Sequence, residues 1–299
     1  MKNILVTGSN GFVGSSIVHE LAKKNNIIGC GTRAEAAEKE QKDLKTYVQW
    51  DIAHEECPEM LQQMEIDVII HAAACLDKND ENPELVMTNC LGTHRIYQLA
   101  REKQVSKVFY ISGSTVIGVP KTNPVTEEHE INPQSMYLAT KMAGEMILNQ
   151  LVKTGIQVIH LRVPSPIGPG MPEKTIVPIF LKNAMQGKDI TLAGKGSREQ
   201  NYLDVRDLAE AIQNCLDTDE VCGTFNIGAD QPVSNLRLAQ LCVEAVHSTS
   251  KVGFSGKEDT SDGQIWNLDC SRLKAAVGYR QRYTIEQSLK DIVKGMELV

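Results

Sequence analysis

Residues 4–14 constrain the fold more than any other stretch. The apolar run Ile4-Leu5-Val6 leads into Thr7-Gly8-Ser9-Asn10-Gly11-Phe12-Val13-Gly14, after which Phe12, Val13, Ile17 and Leu21 recur at helical spacing. A strand that passes through a glycine-rich turn into a helix aims backbone N–H groups and the positive helix end at one spot. Glycine is needed where the backbone approaches an anion closely. The turn therefore reads as a pyrophosphate cradle, with Gly8, Ser9, Asn10, Gly11, Phe12, Val13 and Gly14 as its candidate residues. Its spacing is G-x-x-G-x-x-G.

The same alternation continues down the chain. Ile27-Ile28, Val68-Ile69-Ile70, Val108-Phe109-Tyr110-Ile111 and Val158-Ile159-His160-Leu161 are short apolar runs of the kind buried parallel strands require. Amphipathic stretches lie between them, such as that of Ile96, Leu99 and Ala100. Repeated β-α units predict an α/β fold, a doubly wound parallel sheet covered on both faces. From Pro164 onward, Pro166, Pro169, Pro172 and Pro178 break the rhythm and mark a crossing into a smaller C-terminal α/β unit. The expected division gives residues 1–163, with a return over about 200–225, to the sheet unit, and 164–199 and 226–299 to the second. Helices are expected over 207–216 and 235–247, and a strand over 223–227.

Composition narrows the class of partner. With 41% hydrophobic and 23% charged residues, 299 residues can bury one large core or two coupled ones. A formal net charge of -7 argues against broad attraction to nucleic acid or anionic lipid, so any anion must be captured locally. The eight cysteines, Cys30, Cys57, Cys75, Cys90, Cys215, Cys222, Cys242 and Cys270, are scattered without a C-x-x-C pair, which points to reduced structural thiols and to no metal site. Glycine enters too early for a signal peptide, and no apolar run approaches the ~20 residues needed to span a bilayer. A cytoplasmic protein with a small-molecule substrate, and with no nucleic-acid or membrane partner, is the expectation.

A second motif carries chemistry. Tyr137-Leu138-Ala139-Thr140-Lys141 places a phenol and an ammonium four residues apart, on one face of a helix. A tyrosine titrating near 10 is a poor base at neutral pH, and a neighbouring cation is expected to lower that value toward the working range.

Taken together, the TGxxGxxG turn and the later YxxxK resemble the extended short-chain dehydrogenase/reductase family, in its epimerase/dehydratase group. Further matching pieces are Asp51-Ile52, His71-Ala72-Ala73-Ala74, Asn89, Leu161-Arg162-Val163-Pro164 and Phe225-Asn226-Ile227-Gly228, in family order over nearly the whole chain. The resemblance implies a Rossmann-type nucleotide unit binding a nicotinamide dinucleotide. Asp51 and Ile52 would lie at the adenine, Ala72, Ala73 and Ala74 along the cofactor, and Asn89, Val163, Tyr137 and Lys141 would complete its site. Tyr137 would move the hydroxyl proton and Lys141 would also hold the nicotinamide ribose. It further implies a homodimer, in which helices running from about 83 to 103 and from 137 to 153 pair across a twofold axis, with Leu85, Val86, Ile96, Met142, Met146 and Ile147 as their apolar positions.

Several departures from the family pattern bear on specificity. NAD-preferring relatives end the second strand with an acid, whereas this chain reads Gly29-Cys30-Gly31-Thr32-Arg33. With no carboxylate to repel a 2′-phosphate and Arg33 able to bond it, NADP is the expected cofactor and NAD the alternative. The family's strand S-S-x-x-V-Y-G becomes Ser112-Gly113-Ser114-Thr115-Val116-Ile117-Gly118, so Gly113 stands where a catalytic Ser or Thr is usual. Ser114 is the expected replacement, with Ser112 or a backbone N–H as alternatives. The 4,6-dehydratases carry an Asp-Glu pair where Ser114 and Thr115 stand, which argues against elimination of water.

In the second unit, Gln200-Asn201 replaces an Arg-Asp pair whose arginine contacts a sugar-nucleotide diphosphate, and Ser165 stands at a position often held by Asn. Arg198, Lys195 and Lys174 are the cations nearby in sequence. The leading expectation is an NAD(P)-dependent epimerase or carbonyl reductase acting at a hydroxyl or ketone carbon of a sugar nucleotide or related polyol. The competing ones are an NADP-dependent reductase of a non-nucleotide, steroid- or flavonoid-like ketone, and a non-catalytic NADP-sensing protein.

Overall fold

The structure, a computed structural model, describes residues 1–297. Seven parallel strands form one sheet: β1 (Asn3–Thr7), β2 (Asn26–Gly31), β3 (Thr46–Gln49), β4 (Val68–His71), β5 (Lys107–Gly113), β6 (Gln157–Val163) and β7 (Gly223–Asn226). Their order is β7-β6-β5-β4-β1-β2-β3, so the direction of winding reverses between β1 and β4. Register aligns Thr7 with both Cys30 and His71, and Gly113 with Val163. The carboxyl ends of these strands thus share one edge, and in such sheets ligands bind outside that edge at the reversal.

Alternation along each strand explains how both faces come to be covered. Ile4 and Val6 join Val68, Ile70, Phe109, Ile159 and Leu161 in one buried layer, while Leu5, Ile69, Val108, Tyr110 and Val158 face the other. A side-chain period of two sends successive apolar residues to opposite faces, so only a strand with helices on both sides can be apolar throughout. The first layer is closed by α1 (Phe12–Leu21) and the second by α2 (Thr93–Lys103) and α3 (Met136–Asn149). Beyond β6 come α4 (Ile176–Met185), α5 (Val205–Asp217), α6 (Asn235–Ala245), α7 (Ser271–Val277) and α8 (Ile285–Glu297). Of these, α5 packs on α1 through Leu208 and Ile212. Residues from α4, α6 and α8, with Ile167, Ile190 and Tyr202, form a separate third core.

One stretch expected in the second unit lies elsewhere. Trp266, Leu268, Cys270, Leu273 and Tyr279 pack into the first layer of the sheet unit. Backbone bonds hold them there: Val125 N–H donates to Asn267 O at 2.7 Å, and Asp269 N–H donates to Val125 O at 2.8 Å. The Tyr279 hydroxyl also donates to Gly228 O at 2.7 Å. The two Val125 bonds join residues more than a hundred positions apart, which local pattern does not reveal.

Candidate active site

The glycine turn sits at the reversal of the sheet. Gly8 adopts φ +67°, and a Cβ there would lie 2.8 Å from the Ala73 backbone. A Cβ on Gly14 would lie 2.1 Å from Gly8 O, so the turn can close on α1 only with glycine at both positions. Gly11 caps α1 without any side-chain bond, which leaves first-turn N–H groups available to an anion. Gly8, Asn10, Gly11, Phe12, Val13 and Gly14 line a cleft of about 930 Å³. Ser9 does not: it is fully buried, and its hydroxyl donates to Cys30 O at 3.3 Å, bracing the turn against β2.

The cleft continues along the strand ends. Gly31, Thr32 and Arg33 line it beyond β2, followed by Trp50, Asp51 and Ile52 and by Ala72, Ala73 and Ala74 beyond β4. Arg33 is exposed, its carbonyl fixed by the Tyr47 hydroxyl at 3.0 Å. Asn89 lies behind the wall, in a π-helical turn over Met87–Gly92. Its amide accepts from Cys75 N–H at 2.9 Å and donates to Cys75 O and to Thr140 Oγ1, each at 3.0 Å. With these bonds made, Asn89 positions the Cys75 segment and has no spare donor for a cofactor.

Farther along the cleft, α3 begins at Ser135, whose hydroxyl accepts from Leu138 N–H, and carries Tyr137 and Lys141 into the cleft, with Val163 nearby. Lys141 is buried. Its Nζ donates to Ile111 O at 2.7 Å and lies 4.1 Å from the Tyr110 ring centroid. Burial brings its ammonium down to about 7, partly offset by the Glu145 carboxylate. Burial also pushes the Tyr137 phenol up to about 12, with Cys75 adding to the effect. The lowering expected from sequence is therefore absent, because removal from water disfavours the charged phenolate.

The turn after β5 sorts its hydroxyls unequally. Ser112 donates to Glu145 Oε1 at 2.5 Å, inside a buried pair in which Arg162 Nη2 meets Glu145 Oε2 at 2.9 Å. Ser114 is buried, its Oγ has no partner, and it is not part of the cleft wall. Thr115 is exposed on that wall, a position that sequence reasoning passed over.

The opposite wall comes from Ser165 to Val177, with Gln200 and Tyr202. None of its described lining residues is a cation. Tyr202 is buried there, with no partner for its hydroxyl. When the Gln200 amide is oriented to donate to Ser165 Oγ at 2.8 Å, its oxygen accepts from Arg198 Nε and Nη2, both at 3.1 Å. Arg198 is thus held beside the wall, whereas Lys174 and Lys195 are exposed and are not among its lining residues. Among the described residues no helix is long and apolar enough to cross a membrane, and no group of three or more His, Cys, Asp or Glu could hold a metal ion.

Known proteins resemble this chain along most of its length. The sequence profile of the NAD dependent epimerase/dehydratase family matches residues 4–228. UDP-glucose 4-epimerase of Mycolicibacterium smegmatis is 27% identical, over 97% of each chain. The solved UDP-glucose 4-epimerase of Thermotoga maritima with UDP-glucose superposes with a TM-score of 0.88 at 22% identity, covering 99% of both chains. WbmG of Bordetella bronchiseptica, solved with NAD and UDP, does so with a TM-score of 0.84 at 19% identity, over 99% of this chain and 94% of that one. With the glycine turn, the Tyr137/Lys141 pair and the parallel sheet all in place, the chain belongs to the NAD dependent epimerase/dehydratase family and is an enzyme of that type.

Proposed function

We propose that this enzyme is an NADP-linked epimerase or carbonyl reductase acting at a hydroxyl or ketone carbon of a sugar nucleotide. One observation carries the reading: Tyr137 and Lys141 open into the same cleft as the glycine turn on one side and the Ser165–Tyr202 wall on the other. Cofactor and substrate would meet there with the phenol between them. The fit to a nicotinamide dinucleotide rests on the uncapped N-terminus of α1, and the preference for NADP on Arg33 in a wall that lacks an acid at the end of β2. When bound, the nicotinamide supplies hydride exchange at the reacting carbon. Tyr137 takes or returns the hydroxyl proton, and Lys141 binds the ribose and, once charged, favours the phenolate. Ser114 and Thr115 offer no carboxylate for elimination, so redox without loss of water is the chemistry retained.

Turnover of UDP-, dTDP- and GDP-hexoses with NADP and NAD tests this reading directly. Interconversion or oxidation of at least one supports it, and binding of none of the three nucleoside diphosphates by calorimetry refutes the sugar-nucleotide substrate. A reductase of a non-nucleotide ketone is the second reading, favoured by the neutral Ser165 and Gln200 on the substrate wall. Arg198, held against Gln200, supplies the first reading with a cation at that wall. The homodimer expected from the resemblance belongs to the same proposal.

A further inference from the structure

A phenol alone holds a reacting oxygen by one hydrogen bond, which leaves the carbinol free to swing about it. A second donor on the same oxygen fixes the attack geometry and stabilises the negative charge that develops as the proton moves. Gly113 has no side chain to offer, although it lines the cleft beside Tyr137 and Lys141. Three hydroxyls lie within two residues of it, and the structure separates them. Ser112 Oγ is spent on Glu145 at 2.5 Å, in the buried ion pair with Arg162. Ser114 Oγ is buried off the wall. Thr115, on the 3-10 turn over Ser114–Ile117, returns its hydroxyl toward the space that glycine leaves open. Its Oγ1 lies 3.6 Å from where a Cβ on Gly113 would stand.

We propose that Thr115 supplies the second hydroxyl that holds the reacting oxygen beside Tyr137. The assignment rests on the oxidoreductase reading of this site. In the oxidative direction the carbinol C–H bond breaks with its electron pair passing as hydride to the bound nicotinamide. The O–H proton goes to the Tyr137 phenolate and the carbon is left as a ketone. Thr115 keeps its own proton throughout and bonds the oxygen at each stage, so it is neutral and returns unchanged after each turnover.

The test compares the parent enzyme with Thr115→Val, Thr115→Ser and the double variant Gly113→Ser/Thr115→Val. Steady-state rates would be measured on UDP-, dTDP- and GDP-hexoses and on a panel of small alcohols and ketones. Thr115→Val should lower kcat roughly 100-fold or more while cofactor Kd, measured by fluorescence titration, moves less than about threefold, as for loss of one charge-stabilising donor. Thr115→Ser should stay within about threefold of the parent, and Gly113→Ser should restore at least about tenfold in the valine background. A Thr115→Val enzyme within threefold of the parent overturns the assignment, as does the same loss of kcat in Thr115→Ser. A parent active only on non-nucleotide ketones removes the sugar-nucleotide reading and leaves Thr115 to be judged on that substrate. A parent inactive on every substrate overturns both.

Discussion

The Lys141 ammonium lies 2.7 Å from the Ile111 carbonyl oxygen, buried at the end of β5 and stacked over Tyr110. That contact turns the charge toward the backbone in the ligand-free protein and leaves the Tyr137 phenol, pushed up to about 12 by burial, as a neutral acid. No tyrosinate absorbance from Tyr137 should therefore develop below about pH 10 without cofactor. Replacing Tyr137 by Phe removes only the transferable proton. Turnover should fall roughly 100-fold or more, with cofactor affinity nearly unchanged. Lys141→Met should damage affinity and rate together, since the ribose contact and the phenol share one charge. Activity within threefold of the parent in Tyr137→Phe would remove the phenol from the mechanism, and a tyrosinate band at pH 8 that disappears in that variant would contradict the burial argument.

Arg33 stands exposed on the cleft wall where β2 runs out, and the stretch over residues 29–33 carries no acid. If it bonds the 2′-phosphate, Arg33→Ala should raise the KM for NADPH roughly 10- to 100-fold, the worth of one charged contact of ~1.5–3 kcal/mol. The KM for NADH should change little. Equal effects on both cofactors would make Arg33 a bystander and return the preference to NAD.

Burial decides which of these features could be read from the chain itself. β1, β4 and β5 are apolar on both faces, and such runs announce themselves; β3, Thr46-Tyr47-Val48-Gln49, is an edge strand with one neighbour and a mixed pattern, and gives no such signal. The glycine turn was legible because its steric demand is local, as Gly8 against Ala73 shows. The hydroxyl of the third position was not. Residues 112, 114 and 115 look alike in sequence, and only the 3-10 turn that follows β5 determines that Thr115 faces the cleft while Ser114 is buried. Ser9 and Asn89 fit a cofactor motif by position but are consumed by backbone bonds of the scaffold. Tyr137 and Lys141 were legible as a pair, though their titration was not, because desolvation depends on neighbours distant in sequence.

Two buried histidines make stability sensitive to mild acid. Burial, aided by the Lys141 charge, brings His71 down to about 3. Burial chiefly, and the Arg162 and Lys141 charges, bring His160 down to about 4 despite Glu145. Both therefore stay neutral in the fold while the unfolded chain protonates them near 6.5. Their stabilisation is fully present above about pH 6.5 and is lost as pH falls toward 4 and then 3. Asp207 acts in the opposite sense. Burial raises it to about 6 even though Arg282 and Tyr283 donate backbone N–H groups to it, so its contribution is present below the ordinary carboxylate range and lost as pH rises through about 6. Between pH 5 and 6 the unfolded chain gains two protons at the histidines and loses about one at Asp207. Unfolding thus takes up a net of about one, and stability should fall by about 1.4 kcal/mol per pH unit on acidification. Neither ring nitrogen of His160 has a partner, so His160→Phe should fold and bring that slope near zero. Urea midpoints at pH 5.0, 5.5 and 6.0 would show it; an unchanged slope in the variant rules out His160 as a source.

The helices α2 and α3 lie side by side; α2 exposes His94, Gln98, Arg101 and Glu102, whereas α3 exposes the apolar Met136, Ala139 and Met146. Leu85 and Ile96, first considered for a subunit contact, are fully buried in the chain's own core, and Met142 packs against the sheet unit. Val86 is 46%, Leu91 39%, Met146 62% and Val152 43% exposed, and these four belong to the two segments expected to meet across a twofold axis. A helix that has already buried one face against its sheet needs a second partner for another apolar face, and an identical copy presents the same surface in return. Light scattering at micromolar concentration should give twice the 33.0 kDa chain mass. Met146→Glu combined with Leu91→Glu should shift the protein to one chain mass while leaving the cofactor Kd within about threefold, because neither side chain lines the cleft. A parent mass that stays at 33.0 kDa up to high concentration would refute the dimer. A double variant still at twice the chain mass would move the interface to another face.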